Sequence, residues 1–187
     1  MKLKTRRLTL RYATMKDAKN IAEQINNINV TRYLLAVPHP YTIKDAEWFL
    51  NHCKEQRKQK LLTNYELLIE LKTEEKIIGG IGLSDVDRWQ GTADIGYWLG
   101  ENYWRKGYGT EACKAVLDFG FYKLRLRRIR IPAFAKNQAS NALARKLGGV
   151  LEGTLRQHCR AKSTGKLHDE NIYGIMKEEW DETRKKI

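Results

Sequence analysis

Trp104-Arg105-Lys106-Gly107-Tyr108-Gly109-Thr110-Glu111-Ala112 is the stretch whose residue types and spacing most directly define a chemistry. It follows a strand-like run, Ala93 to Leu99, and opens a helix-like run from Thr110 to Lys123. The first turn of a helix leaves N–H groups without intrahelical acceptors and carries the positive end of the dipole. Glycines let the backbone approach a ligand closely. A basic, glycine-interrupted turn of this kind is suited to holding phosphate and points to a nucleotide-like cofactor. Gly107-Tyr108-Gly109 with Ala112 also satisfies a relaxed dinucleotide fingerprint. That fingerprint requires an acidic residue some way downstream to hold a ribose. From Phe119 through Leu151 there is no Asp or Glu, and Lys and Arg fill the region instead. No Gly-Lys-Ser/Thr run follows at Walker spacing.

The other residues able to do chemistry are dispersed. Ser140 sits in the first turn of a helix that Asn137 would cap. Asp94 lies on the strand before the glycine turn, and His158 precedes Cys159 in a late strand-to-loop region. Histidine titrates near neutrality, which suits proton transfer. Cys53, Cys113 and Cys159 are scattered, with neither metal-ligand nor CxxC spacing, and imply a reducing, cytoplasmic setting.

These residues need elements to position them. Arg7 to Tyr12 alternates as a strand. Thr14 with Asp17, and Thr42 with Asp45, are capping-box signals for two helices, the second running to about Lys60. Tyr65–Leu71 and Lys76–Leu83 form a hairpin through Thr73-Glu74-Glu75, and Ser84 to Gly91 reads as a loop. Arg128–Ala133 is a strand in which Pro132 suggests an edge, a bulge or a place where pairing stops. Ala139, Ala142, Leu143 and Leu147 seat the next helix, which Gly148-Gly149 ends. Val150–Arg156 and Asn171–Met176 close the series, with a polar loop between them. This order predicts an α+β fold with a largely antiparallel sheet, as a single domain over residues 1–187. No apolar run is long enough to span a bilayer. The net charge of +13 attracts acidic partners without choosing among them.

The glycine turn, read with its surroundings, resembles the Gln/Arg-x-x-Gly-x-Gly/Ala signature of GCN5-related N-acetyltransferases (GNAT). Gly91–Leu99, Asn137–Asn141, Lys146–Gly149, Leu151-Glu152-Gly153, Asp169 and Tyr173 are similar to the RimJ/RimL-like branch, which acetylates N-termini of ribosomal proteins. The resemblance implies a GNAT fold: about seven strands flanked by four helices, splayed between the fourth and fifth strands. It also implies acetyl-CoA as donor and direct attack by an amine in a ternary complex. The pyrophosphate is then expected on backbone N–H groups from Arg105 to Thr110, including Lys106, Gly107, Tyr108 and Gly109, with charge from Arg105 and Lys106 and a hydroxyl from Thr110. Tyr97, Trp98 and Leu99 are expected beside the pantetheine arm, with a backbone N–H near Trp98 or Leu99 as oxyanion donor. Asn137 matches a position that contacts the arm, and Ser140 one that stabilises the thiolate. Asp94 matches an acidic position that could act as base. Where the branch carries a carboxylate after Leu151-Glu152-Gly153, this chain has Cys159, which makes His158 a substitute base. Protein N-termini, polyamines, amino acids and aminoglycoside-like amines stay open as acceptors, as do a homodimer and proximity to ribosome or RNA. The alternative is a ribosome- or RNA-binding protein on the same scaffold, resting on the basic run Lys123 to Arg130.

Overall fold

A computed structural model describes residues 1–187. In chain order the elements are β1 (Lys2–Lys4), β2 (Leu8–Arg11), α1 (Ala18–Ile25), α2 (Ile28–Thr31), α3 (Ile43–Gln56), β3 (Tyr65–Leu71), β4 (Lys76–Asp87), β5 (Thr92–Leu99), α4 (Tyr108–Asp118), β6 (Arg128–Phe134), α5 (Gln138–Lys146), β7 (Val150–Arg160), β8 (Leu167–Met176) and α6 (Lys177–Thr183). All eight strands form one sheet in the order β1-β2-β3-β4-β5-β6-β8-β7, antiparallel except for the β5–β6 pair. No helix is long and apolar enough to cross a membrane.

Both helix-start signals hold. Thr14 and Asp17 close a capping box ahead of α1, and Thr42 and Asp45 close one at α3. The sheet has eight strands and six helices rather than about seven and four. The additions are the three-residue β1, the single-turn α2 and the short α6, each too brief for a periodic signal. Tertiary contacts sustain them: Trp180 of α6 is fully buried. Ser84 to Asp87 belongs to β4 rather than to a loop, with an irregularity in pairing between Ser84 and Asp87. Strands β7 and β8 reach far into the expected polar loop.

Two apolar clusters sandwich the sheet. On one face α4, α5 and α6 cover Ile95, Ile129, Ile131 and Tyr173, while on the other α1 and α3 cover Leu68 and Ile77. Side chains on β5 alternate between these faces, as strand geometry requires. Tyr97 and Leu99 pack with the first cluster and Trp98 with the second.

The feature that matters for function is where the sheet comes apart. Pairing of β5 with β6 runs from Thr92↔Arg128 to Asp94↔Arg130 and stops. Beyond it β5 stays with β4 as far as Leu99, and β6 stays with β8 as far as Phe134. The splay expected between two central strands is therefore present, at β5–β6 once the extra first strand is counted.

Candidate active site

The backbone bordering the splay can be worked out from ladder alternation. Gly100 N–H donates to Ile78 O, so even-numbered residues of β5 bond toward β4. Ile95, Tyr97 and Leu99 then direct their N–H and C=O groups into the gap. On β6, the Lys177 N–H donates to Arg127 O and the Ala135 N–H to Asp169 O, so odd-numbered residues bond to β8. Pro132 therefore faces the gap, at a position where an N–H would find no strand partner. Proline has none to leave unpaired. One lip of the splay thus offers peptide groups from Tyr97 and Leu99, and the other lip lacks a donor at its middle. Leu99 O already accepts from the Trp104 indole N–H (2.8 Å), which folds the glycine turn back onto the strand end. Opposite these residues Gly79 and Gly80 leave room for the Trp98 carbonyl and indole, which a Cβ on either glycine would strike.

The glycine turn is an array of free donors. The N–H groups of Arg105, Lys106, Gly107, Tyr108, Gly109 and Thr110 donate to no acceptor in the chain, and the first helical bond here is Glu111 N–H to Gly107 O (3.1 Å). Arg105 and Gly107 adopt left-handed backbone, at φ 58° and 80°. Successive amides in such a curl point inward and form an anion cradle at the start of α4. Arg105 and Lys106 are exposed beside it. Glu111, in the first turn, would repel an anion if left bare. It is instead gripped by the Arg7 N–H (2.7 Å), Arg7 Nε (2.7 Å) and Thr5 Oγ1 (2.6 Å). Burial alone would push the Glu111 carboxyl up, but these donors outweigh it and hold it below the usual range. Arg7 also donates to Lys106 O (3.0 Å) and lies over the Tyr108 ring at 4.5 Å. Sequence reasoning passed over Arg7 and Thr5. The available signal was the acid itself, because a carboxylate in a phosphate-binding first turn needs a cation.

Asn137 caps α5 by accepting from the Ser140 N–H (3.2 Å). This places Ser140 Oγ 2.9 Å from Tyr97 Oη, so a side chain from α5 and one from β5 meet over the gap. Burial pushes the Tyr97 phenol well above its ordinary range, so it stays a neutral donor. Behind Ser140, buried Asn141 donates to Phe134 O (3.0 Å) and accepts from Asn171 (2.6 Å) and from Tyr173 Oη (2.9 Å), which in turn accepts from Arg145 (2.9 Å). This network fixes α5 against β6 and β8, and its members were not identified as functional from sequence.

Titratable groups gather on the other face of the sheet, from the last β5–β6 pair outward. Asp94 is held by Arg130 through two bonds (2.6 and 2.9 Å). Arg128 pairs likewise with Glu152. The arginines of the basic run thus alternate with the buried Ile129 and Ile131 and face carboxylates. His158 Nδ1 lies 2.9 Å from Glu170, which β8 places opposite Phe134 on β6. Cys159 packs with Phe134, Ala161 and Tyr33. Burial pushes its thiol up to about 12, and that of Cys53 likewise, so neither is a ready nucleophile. The tip of the β7–β8 hairpin closes against α2 and the chain after it, with Lys162 N–H donating to Leu35 O (3.1 Å) and Ser163 Oγ to Thr31 O (3.0 Å). Other acids lie apart from it: Asp85 and Asp87 are at the end of β4 where pairing with β5 is irregular, and Glu23 and Glu47 are exposed on the helices.

The site therefore joins an anion cradle, a peptide-bordered slot and a polar mouth. Residues 7–150 match the family described as Acetyltransferase (GNAT) domain. The N-acetyltransferase p20 of Bacillus licheniformis is 30% identical over 178 residues, covering 95% of this chain and 97% of that protein. The putative ribosomal N-acetyltransferase YdaF of Bacillus subtilis is 27% identical over 176 residues, covering 93% of each. The solved structure of the microcin C7 self-immunity acetyltransferase MccE, in complex with acetyl-CoA and AMP, superposes with a TM-score of 0.78 at 29% identity, covering 92% of this chain and 93% of that one. Cradle, slot and family match agree: this chain belongs to the GNAT acetyltransferases, enzymes that use acetyl-CoA.

Proposed function

We propose that the chain, as one domain over residues 1–187, transfers the acetyl group of acetyl-CoA to the α-amine of a polypeptide N-terminus by direct attack in a ternary complex. The observation that carries the donor half is the run of unpartnered N–H groups from Arg105 to Thr110, continuous through Trp104 with the lip of the splay. Acetyl-CoA supplies an acetyl group already activated as a thioester, so no acyl-enzyme is needed. The pyrophosphate rests on the cradle, with Arg105, Lys106 and the free Thr110 hydroxyl beside it. The gap-facing groups of Tyr97 and Leu99 bond the arm, and the Leu99 N–H is the oxyanion donor. Tyr97 Oη and Ser140 Oγ lie 2.9 Å apart, and with Tyr97 as donor the Ser140 proton is free to stabilise the departing thiolate.

At the acceptor mouth His158 is the base. With its Nδ1–H directed at Glu170, its Nε2 lone pair is left to take the amine proton, directly or through one water. Asp94 enters as the counter-ion of Arg130. Asp94, Glu152 and Glu170 are each paired with a cation or histidine, which weakens the pull of these three acids on a polyamine. Tyr33, half-buried against Phe134, offers an apolar wall to a peptide. The three buried, unpaired cysteines support a reducing cytoplasmic setting.

The test is acetyl transfer by the purified protein, read as thiol release, to N-terminal peptides and to spermidine. Acylated peptide with little turnover of spermidine is the expected result. Preference for spermidine would overturn the acceptor assignment, and no acetyl-CoA binding by calorimetry would overturn the whole reading.

A further inference from the structure

Neighbouring residues on a strand direct their side chains to opposite faces. His158 and Cys159 break this rule: the sulfur lies 3.5 Å from the His158 Nδ1. The cause is a bulge. Pairing passes from Leu155↔Glu170 to Cys159↔His168, so β7 spends more residues than β8 over the same interval. Gln157 absorbs the excess at φ 48°, with its N–H held by Asp169 (2.8 Å). The bulge brings an imidazole, a thiol and the Glu170 carboxylate together, with their ligand atoms all within 4.8 Å of one another.

We propose that His158 Nδ1, Cys159 Sγ and a Glu170 oxygen form a three-ligand site for a thiophilic divalent cation of the zinc class. Tetrahedral zinc with ordinary bond lengths sets its sulfur and nitrogen ligands about 3.6 Å apart and its nitrogen and oxygen ligands about 3.4 Å apart. The observed S···N separation of 3.5 Å already fits, and the N···O separation of 2.9 Å needs to open by about half an ångström. The His158 side chain is 53% exposed, so it has freedom to move and the ion has a path in. Sulfur, imidazole and carboxylate together select zinc-like ions over magnesium or calcium. Binding displaces the Cys159 proton to solvent and forms the metal–sulfur bond. Three protein ligands leave a fourth position for solvent, the arrangement of an exchangeable rather than a closed structural site.

One consequence rests on the proposed role of His158. A metal on Nδ1 uses that lone pair, so the ring proton must sit on Nε2. Nε2 then cannot accept a proton from the amine. The same imidazole is a base without metal and is blocked with it, which makes zinc an inhibitor.

Cobalt(II) titration of the intact, chelator-treated protein tests the site without any activity measurement. One equivalent should produce a thiolate-to-cobalt charge-transfer band that zinc abolishes, and Cys159→Ser should remove the band. Glu170→Gln should weaken binding by at least about tenfold. Absence of the band, or a band that survives Cys159→Ser and so arises at Cys53 or Cys113, overturns the site. Saturating zinc should also slow peptide acetylation by at least about tenfold against the chelated enzyme, with Cys159→Ser insensitive relative to its own metal-free rate. Zinc binding at these residues with an unchanged rate would overturn the inhibitory consequence and the base assignment together, leaving the site standing. A chelated enzyme inactive toward every amine would count against the acetylation reading alone.

Discussion

Tyr97 and Ser140 are separated by 43 positions in the chain and meet at 2.9 Å over the slot, one from a strand lip and one from a helix first turn. A neutral serine hydroxyl is a weak acid, so the role proposed for Ser140 is a hydrogen bond that grows as negative charge develops on sulfur. In the proposed mechanism Tyr97 is the donor of this hydroxyl pair, which leaves the serine proton outward. Ser140→Ala should lower kcat by about ten- to a hundredfold. Tyr97→Phe should lower it about three- to tenfold, the worth of a polarising hydrogen bond of roughly 1 kcal/mol. Acetyl-CoA affinity should stay near the wild-type value in both. Steady-state kinetics beside calorimetric Kd values check this, and a loss confined to Kd would place both residues in binding instead. At the other mouth, His158→Ala should cost about a hundredfold or more in kcat at neutral pH while leaving acetyl-CoA Kd unchanged. An unchanged kcat would remove His158 from the mechanism.

The elements show how the cradle is held open. Glu111 lies within its first turn, yet Thr5 and Arg7, just ahead of β2, neutralise it and tie the turn to the sheet edge. Because the folded pKa of Glu111 is depressed, its contribution is present above the unfolded carboxyl pKa and is lost as pH falls through the folded value. Glu111→Gln should therefore destabilise the protein at pH 7 by about 1 kcal/mol, discounted for the partial exposure of Arg7, and by less in acid. Acetyl-CoA binding should weaken as well, since Arg7, released from the Glu111 carboxylate, holds Lys106 O less firmly. Urea melts at pH 7 and pH 3 check the sign, and an equal loss at both would contradict it.

The same elements explain what was legible in the chain. Capping boxes, the glycine turn and the Pro132 interruption are local chemistry, and each appears where its residues predict. The cation that neutralises Glu111 lies 104 positions away, and the carboxylate beside His158 arrives from the neighbouring strand across a bulge. Neither depends on a periodic or contiguous pattern, so neither could be read before the strands were paired. Asn141 was visible in the helix, but its role depends on three elements converging on one amide.

At the scale of the whole molecule, the splay separates two jobs. The face covered by α4 and α5 carries the cradle and Ser140, while the mouth beyond β6 and β8 carries His158, Glu170 and the paired acids. In the proposed mechanism donor and acceptor then use different sides of the sheet, and the net charge acts on them separately. A balance of +13 attracts the polyanionic donor from every direction. For the proposed peptide acceptors it also implies a ranking, because an acidic peptide is drawn toward a basic protein and a basic one is repelled before any contact forms. Added salt shortens the reach of that field to about 8 Å near physiological ionic strength. kcat/KM for an acidic N-terminal peptide should thus fall severalfold between about 20 and 300 mM salt, and that for a basic peptide of equal length should stay level or rise. kcat at saturating peptide should change little for either, since His158 and Ser140 act at contact distance. Parallel salt titrations with the two peptides measure this, and identical slopes would show that acceptor choice is made by contacts within the mouth and not by the field of the protein.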